Sequence, residues 1–181
     1  MNLIVVVENW GPEQELLSNA LNYLFPDVQG RFVTAGGRRY LGVVARSALL
    51  SSREPTLVVC DAETADPEAV DDRRKALLEE LRWVSSSALS DVVTAVPELD
   101  PVVLLPRATI QRLIGAEISD LEWEYARENP KRFWQRRGPD ARAQVIAHIG
   151  PQEFDEMADH TVFRQIRDFV EHMSLDLRKS A

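Results

Sequence analysis

The sequence predicts an α/β protein: a parallel sheet of about four strands with helices on both faces, followed by a helical C-terminal part. Three observations carry this. Short apolar, β-branched runs recur as LIVVVE (3–8), RFVTAGG (31–37), TLVVCD (56–61) and DVVTAVPE (91–98). Helical stripes of leucine, valine and alanine lie between them. After Pro101 everything beyond PVVLLP reads helical. The division that follows is an α/β domain over 1–105 and a helical extension over 106–181 packed on it.

Each element has its own signal. LIVVVE is apolar without alternation, which marks a strand buried on both faces. Pro12 with Glu13 and Glu15 is a helix start, because proline is preorganised for the first turn and acids suit the positive end. Leu16, Leu17, Ala20, Leu21, Leu24 and Phe25 form one face of that helix, closed by Pro26 and Gly30. RFVTAGG is a weaker strand ending in a glycine pair, and Leu41, Val44, Ala45, Ala48 and Leu49 mark the next helix. TLVVCD is the third strand. Asp66 and Pro67 then make an N-cap and first-turn pair for a helix carrying Val70, Leu77, Leu78 and Leu81. DVVTAVPE is the fourth strand. PVVLLP reads as a short extended run or a helix start. Helices are expected over roughly 107–114, 117–129, 139–149 and 152–173, broken at Gly115, Pro130, Gly138-Pro139 and Gly150-Pro151, with LRKSA (177–181) frayed.

Composition excludes several classes. Of 181 residues, 45% are hydrophobic and 28% charged, a globular balance able to bury a core. The formal net charge of -8 argues against non-specific wrapping of nucleic acid, though a local basic patch is compatible with it. The single cysteine, Cys60, forms no internal disulfide and no cysteine zinc site, and reads as a small buried hydrophobe in a reducing, cytoplasmic setting. MNLIVVVENWG lacks a basic leader, and no apolar run approaches membrane-spanning length, so neither a signal peptide nor a membrane partner is expected.

The chemistry concentrates at the strand ends. The first strand ends in Glu8, the third in Asp61 with Glu63 two residues on, the fourth in Glu98 with Asp100 two residues on. Parallel strands place these ends on one edge of the sheet, where ligands bind in such folds. If strands one and three are neighbours, Glu8, Asp61 and Glu63 converge. Carboxylates that close do not all ionise without a counter-charge. A hard divalent cation supplies it, since Mg²⁺ takes carboxylate oxygens and substrate phosphate together. The alternative is a set of solvated turn residues.

The order strand-Glu, helix, strand-Gly-Gly, helix, strand-Asp-x-acid, helix resembles the TOPRIM domain. The segment VTAGGRRYLGVVARSALLSSREPTLVVCDAET is most similar to the small TOPRIM proteins of the OLD nuclease type. The resemblance covers roughly residues 1–100. It implies that Glu8 is a general acid or base, that Asp61 and Glu63 hold Mg²⁺ (or Mn²⁺), and that the reaction is phosphodiester hydrolysis in DNA or RNA. It further implies an anti-phage role beside a separately encoded ABC-type ATPase, and leaves room for a homo-oligomer. Glu63 departs from the family's usual Asp, and Asn9 and Trp10 precede Gly11 where the family has glycine directly after the glutamate. Glu98 and Asp100 match no universal TOPRIM position and stand as second-sphere or second-metal candidates.

KRFWQRRGPDAR (131–142) interleaves basic and aromatic residues. Lys131, Arg132, Trp134, Arg136 and Arg137 therefore read as a nucleic-acid contact, or as a solvated turn with its aromatics in the core. Arg38 and Arg39 follow the glycine pair and are placed to steer phosphate or to make surface ion pairs. His148, His160 and His172 lack metal-ligand spacing and read as surface or partly buried helix residues. Trp83 and Trp123 read as helix-packing residues. GGRR lacks the Gly-Lys-Ser/Thr end of a P-loop. Two function classes remain beside each other: a Mg²⁺-dependent nuclease, and a binding or regulatory subunit that keeps the fold with a decayed site. A receiver-type phosphoacceptor needs paired acids at strand one and a lysine after a fifth strand, and neither is visible.

Overall fold

A computed structural model of the chain describes residues 1–52, 54–84 and 89–179. Its centre is a four-stranded, all-parallel sheet in the order β2-β1-β3-β4. The strands are β1 (Asn2–Val7), β2 (Gln29–Thr34), β3 (Thr56–Asp61) and β4 (Ser90–Ala95). β1 and β3 are direct neighbours, with Val7 opposite Val59, and β3 continues beside β4 to Asp61 opposite Ala95. The condition for the convergence of the strand-end acids, adjacency of strands one and three, is therefore met.

The unalternating strands are buried on both faces, as their composition requires. Leu3, Val5 and Val7 join one core with Leu57, Val59, Val93 and Ala95. Ile4 and Val6 face the other side with Val58, Cys60 and Val92. α1 (Pro12–Leu24) covers the first face, while α2 (Leu41–Ser52) and α3 (Pro67–Arg82) cover the second. Asp66 caps α3 as expected, its side chain accepting from Glu68 N at 3.1 Å. β4 ends at Ala95 rather than running to 98, because Pro97 has no N–H to continue the ladder.

The helical part comprises α4 (Pro101–Leu104), α5 (Arg107–Ile114), α6 (Asp120–Glu128), α7 (Pro130–Arg137), α8 (Ala141–Ala147), α9 (Pro151–Met157) and α10 (Thr161–Lys179). PVVL is thus a helical turn, capped by Asp100, whose carboxylate accepts from Val102 N at 2.9 Å. KRFWQRR is a helix and not a turn, with Pro130 in its first turn and Gly138 at its end. The expected helix over 152–173 is two helices, with the break at 158–160. α10 extends through Leu177, Arg178 and Lys179, and the rest of the expected frayed end, Ser180 and Ala181, lies outside the described residues. The helical part shares the first core: Ile110, Ile118, Phe133, Trp134, Phe163 and Ile166 pack with the β1 and β3 side chains. The chain from Pro101 to Leu105 is wholly buried, so the sheet and the extension join through the core. No helix among the described residues is long and apolar enough to cross a membrane.

Candidate functional site

The carboxyl edge of the sheet is assembled by three loops. The loop after β2 is tied to the end of β1: Ala35 N donates to Val7 O at 2.8 Å and Gly37 N to Glu8 O at 2.9 Å. Gly36 and Gly37 take φ of +76° and +128°, conformations open to glycine and strained for other residues. That turn delivers Arg38 across the edge. Its Nη2 donates to Asp61 O at 3.1 Å, and its Nη1 pairs with Glu63 Oε2. The loop after β3 keeps pairing past the strand, with Ala62 N donating to Ala95 O at 2.8 Å and Glu63 N to Pro97 O at 2.7 Å. Glu63 itself sits at φ +55°, the one described non-glycine residue with positive φ.

The third loop, 96–100, brings in Glu98 and Asp100. Leu99 N donates to Asp61 Oδ1 at 2.7 Å and so fixes that carboxyl. Glu98 is almost fully buried, its Oε2 3.3 Å from Lys131 Nζ at the start of α7. The arrangement is therefore four acids, Glu8, Asp61, Glu63 and Glu98, with two cations set among them.

Glu8 and Asp61 stand apart from the others. Both line one cavity of about 20 Å³ with Gln14, Cys60 and Leu99, room for a single water-sized body. Among the described residues Glu8 Oε1 has no hydrogen-bond partner there, although the Asp61 backbone supports the carboxyl as a whole. Burial raises the Glu8 carboxyl, against the pull of the Arg38 guanidinium, and the nearby Glu63 adds to the rise. Burial pushes Asp61 up to about 6; the Leu99 amide opposes this, while Glu98 and Glu8 reinforce it. The same environment pushes the Cys60 thiol up to about 11, which makes it an unreactive core residue.

Glu63 does not join the pair. Its left-handed backbone turns the exposed side chain outward to Arg38, onto a groove of about 300 Å³ shared with Pro97, Glu98, Asn129, Lys131 and Arg132. Among the described residues no group of three or more His, Cys, Asp or Glu is placed to hold a metal ion. The expected three-acid convergence is thus a two-acid one. Two carboxyls with an orphaned oxygen still fit a hard divalent cation, because Mg²⁺ binds proteins through one or two acids and completes its shell with water and phosphate.

Asp100 has a different role from the one its acid-x-acid spacing suggests. It is fully buried, and both its oxygens lie 3.0 Å from Trp134 Nε1; Oδ2 also lies 2.7 Å from Arg142 Nη2. Three donors hold it, Val102 N, Trp134 Nε1 and Arg142 Nη2, so it serves structure. Trp134 is correspondingly core, 3% exposed, and does not offer a stacking face to a base. It anchors α7 so that Lys131, one turn earlier on the same side, reaches Glu98. Arg137 is likewise spent inward, 2.5 Å from Glu122 and over the Phe133 ring. Arg136 lies over Tyr125 and Arg39 over Tyr40, each 4.6 Å from the ring centre. Arg132 is exposed on the groove.

The tryptophans and histidines meet the structure as follows. Trp83 is 86% exposed and packs no helix pair, whereas Trp123 does pack against the core. His148 bonds Gln144 O through Nδ1 at 2.6 Å, and half-buried His160 has its pKa lowered by burial and by Arg127. Arg142 is the residue that spacing did not suggest: it joins Glu13 of α1 to Asp100 and lies 42 residues from the acid it neutralises. Compared with known proteins, the chain matches no family model and no curated protein.

Proposed function

We propose that this chain is a divalent-cation-dependent phosphodiesterase acting on DNA or RNA, a TOPRIM-type nuclease working with a separately encoded ABC-type ATPase in anti-phage defence. The observation that carries the reading is Glu8 Oε1, buried and without a partner among the described residues, across one small cavity from Asp61 at the carboxyl edge of a parallel sheet. Glu8 and Asp61 are the side chains that hold the cation. A bound Mg²⁺ or Mn²⁺ supplies polarisation of the phosphate and a water of lowered pKa. The chain's own residues do the rest. The Leu99 amide fixes Asp61, and Arg38 and Lys131 face the same edge with charge suited to a phosphodiester backbone.

A second reading has its own observation. Glu63 pairs with Arg38 and Glu98 with Lys131, so half of the acids are already neutralised by the protein. That favours a TOPRIM-fold binding or regulatory subunit of the same kind of complex. The deciding experiment incubates the chain, with and without the ATPase, with DNA and RNA in Mg²⁺ or Mn²⁺. Cleavage that disappears in Asp61→Asn and Glu8→Gln supports the enzyme. Absence of cleavage, together with no divalent-ion binding by calorimetry, overturns it in favour of the binding subunit.

A further inference from the structure

The two outer strands of the sheet end it in different ways. At β4 the backbone of Val92 is engaged by side chains: its N–H donates to Asp91 Oδ1 at 2.7 Å, and its C=O accepts from Arg74 Nε at 2.8 Å. α10 packs along the same strand. At β2 nothing comparable is present among the described residues. Gln29 N donates to Met1 O and Ala35 N to Val7 O, each at 2.8 Å, and the register runs unbroken from Asn2–Gln29 to Val7–Thr34. The odd-numbered residues of β2 therefore bond to β1, and Gly30, Phe32 and Thr34 turn their N–H and C=O groups away from the sheet. Gly30 and Thr34 are exposed, and Phe32 is half-buried.

Open strand edges are commonly blunted by a proline, a bulge or a charge held over them. β2 has no proline and no bulge. Its one charged side chain leans the other way: Arg31 Nη2 reaches across β1 to Glu54 Oε2, 3.2 Å away, just before β3. Beside the edge stands the exposed Trp10, its ring edge-on to Phe32 with 6.2 Å between ring centres.

We infer that the β2 edge is a self-association surface: a second copy of the chain pairs its β2 antiparallel to this one, about a two-fold axis at Phe32, and the two sheets become one. The inference is independent of the proposed activity. Antiparallel pairing must set outward residues against outward residues, which restricts the register. With Phe32 opposite the partner's Phe32, Gly30 faces the partner's Thr34, and every outward N–H and C=O of β2 finds a partner. Arg31 then lies opposite the partner's Val33, so the two arginines do not meet. Sliding one pairing step one way sets Arg31 against the partner's Arg31 and leaves Thr34 unpaired, at a cost in like-charge repulsion. Sliding the other way sets Gly30 against the partner's Gly36, beyond the end of the strand. Hydrogen bonding and charge thus select the same register. The two Phe32 rings meet on the α1 side of the sheet, where Phe32 already packs, and Trp10 is covered with them. The contact is isologous, the usual form of a homodimer. It is also small, so its dissociation constant is expected to be about micromolar.

The test is sedimentation equilibrium of the full chain over about 1–100 µM, the range set by an interface of that size. The parent is expected to be a dimer at the top of the range and to dissociate toward the bottom. Thr34→Pro deletes an outward N–H and spares the bonds to β1, which come from the odd positions. The two-fold axis doubles each loss, so association weakens about a hundredfold while far-UV circular dichroism stays as in the parent. Phe32→Lys opposes two ammonium groups at the axis and weakens association at least as much; it decides the matter where Thr34→Pro fails to fold. Register is read by oxidative cross-linking, with Cys60 buried throughout. Phe32→Cys meets its own copy across the axis and forms a disulfide-linked dimer, whereas Thr34→Cys faces the partner's Gly30 and stays unlinked. A parent that is monomeric at about 100 µM overturns the inference. So does a dimer that survives both Thr34→Pro and Phe32→Lys, because another surface then holds it. Faster cross-linking of Thr34→Cys than of Phe32→Cys overturns the register and with it the inference.

Discussion

The indole nitrogen of Trp134 sits 3.0 Å from both carboxylate oxygens of Asp100, two buried residues 34 positions apart. Arg142 completes the contact at 2.7 Å from Oδ2. This node locks α7 and α8 onto the loop after β4. Removing Asp100 takes away one of the two carboxylates that Arg142 joins, Glu13 remaining, and leaves the buried Trp134 N–H without its acceptor, at a cost of about 3–5 kcal/mol. Asp100→Ala is expected to lose that much in urea denaturation. Trp134→Phe removes the N–H donor together with one ring of the indole, and loses about 1–3 kcal/mol for the hydrogen bond in addition to the packing of that ring. Equal losses for the two would mean that packing, and not the carboxylate, holds the node.

The pH dependence of stability follows from the same burial. Asp61 and Asp100 are each raised from 3.8 to about 6, by burial first, with Arg142 opposing it at Asp100. A carboxyl raised on folding binds more protons in the native state, so stability falls as pH rises. The contribution is full below 3.8 and is lost once pH passes about 6. Two pKa units correspond to roughly 3 kcal/mol at most for one such group. Metal-free protein is expected to lose unfolding free energy across that window, and Asp61→Asn to flatten the profile. Mg²⁺ competes with the proton and reduces the loss. A flat profile between pH 4 and 7 in the parent would contradict the burial of these groups.

The glycine pair after β2 gives a ranking. Neither glycine has an atom within 4 Å of where a Cβ would stand, so substitution there tests backbone conformation and not crowding. Gly37, at φ +128° and ψ 155°, lies in a region used almost only by glycine, and Gly37→Ala is expected to cost about 1–3 kcal/mol. Gly36, at +76°, is nearer the left-handed region that other residues tolerate, and Gly36→Ala costs less, about 1–2 kcal/mol. Chemical denaturation of both variants checks the order. The Gly37 change also loosens Arg38, the next residue, from Asp61 O.

What the sequence made legible is what neighbours along the chain decide. The unalternating runs announce two-faced strands, Asp66-Pro67 announces its cap, and the glycine pair announces the end of the second strand. Strand-end acids were readable because a parallel sheet gathers its carboxyl ends on one edge. The misread features depend on distant partners. Asp100 looks like a metal candidate until Trp134 and Arg142 arrive from α7 and α8. KRFWQRR reads as a basic turn with its aromatics in the core; Phe133 and Trp134 are buried, but the segment that holds them is the helix α7. Glu63 fits a metal pair by spacing, but its direction is set by a backbone angle and by Arg38, 25 residues away.

Glu63 offers the sharpest test of that last point. At φ +55° a glutamate is strained by about 1 kcal/mol relative to glycine. Its ion pair with Arg38 is half exposed and so contributes only about 0–1 kcal/mol. Glu63→Gln removes the charge and keeps the strain, whereas Glu63→Gly removes both. The glycine variant is therefore expected to be about 1 kcal/mol more stable than the glutamine variant, and close to the parent, in urea denaturation. Divalent-ion affinity separates differently, because the two variants lack the same carboxylate and must weaken equally if Glu63 swings in to ligate. If Glu63→Gly is no more stable than Glu63→Gln, the left-handed turn is not strained. If both variants bind the ion as the parent does, Glu63 is a partner for Arg38 alone, and Glu8 with Asp61 forms the whole protein share of the site.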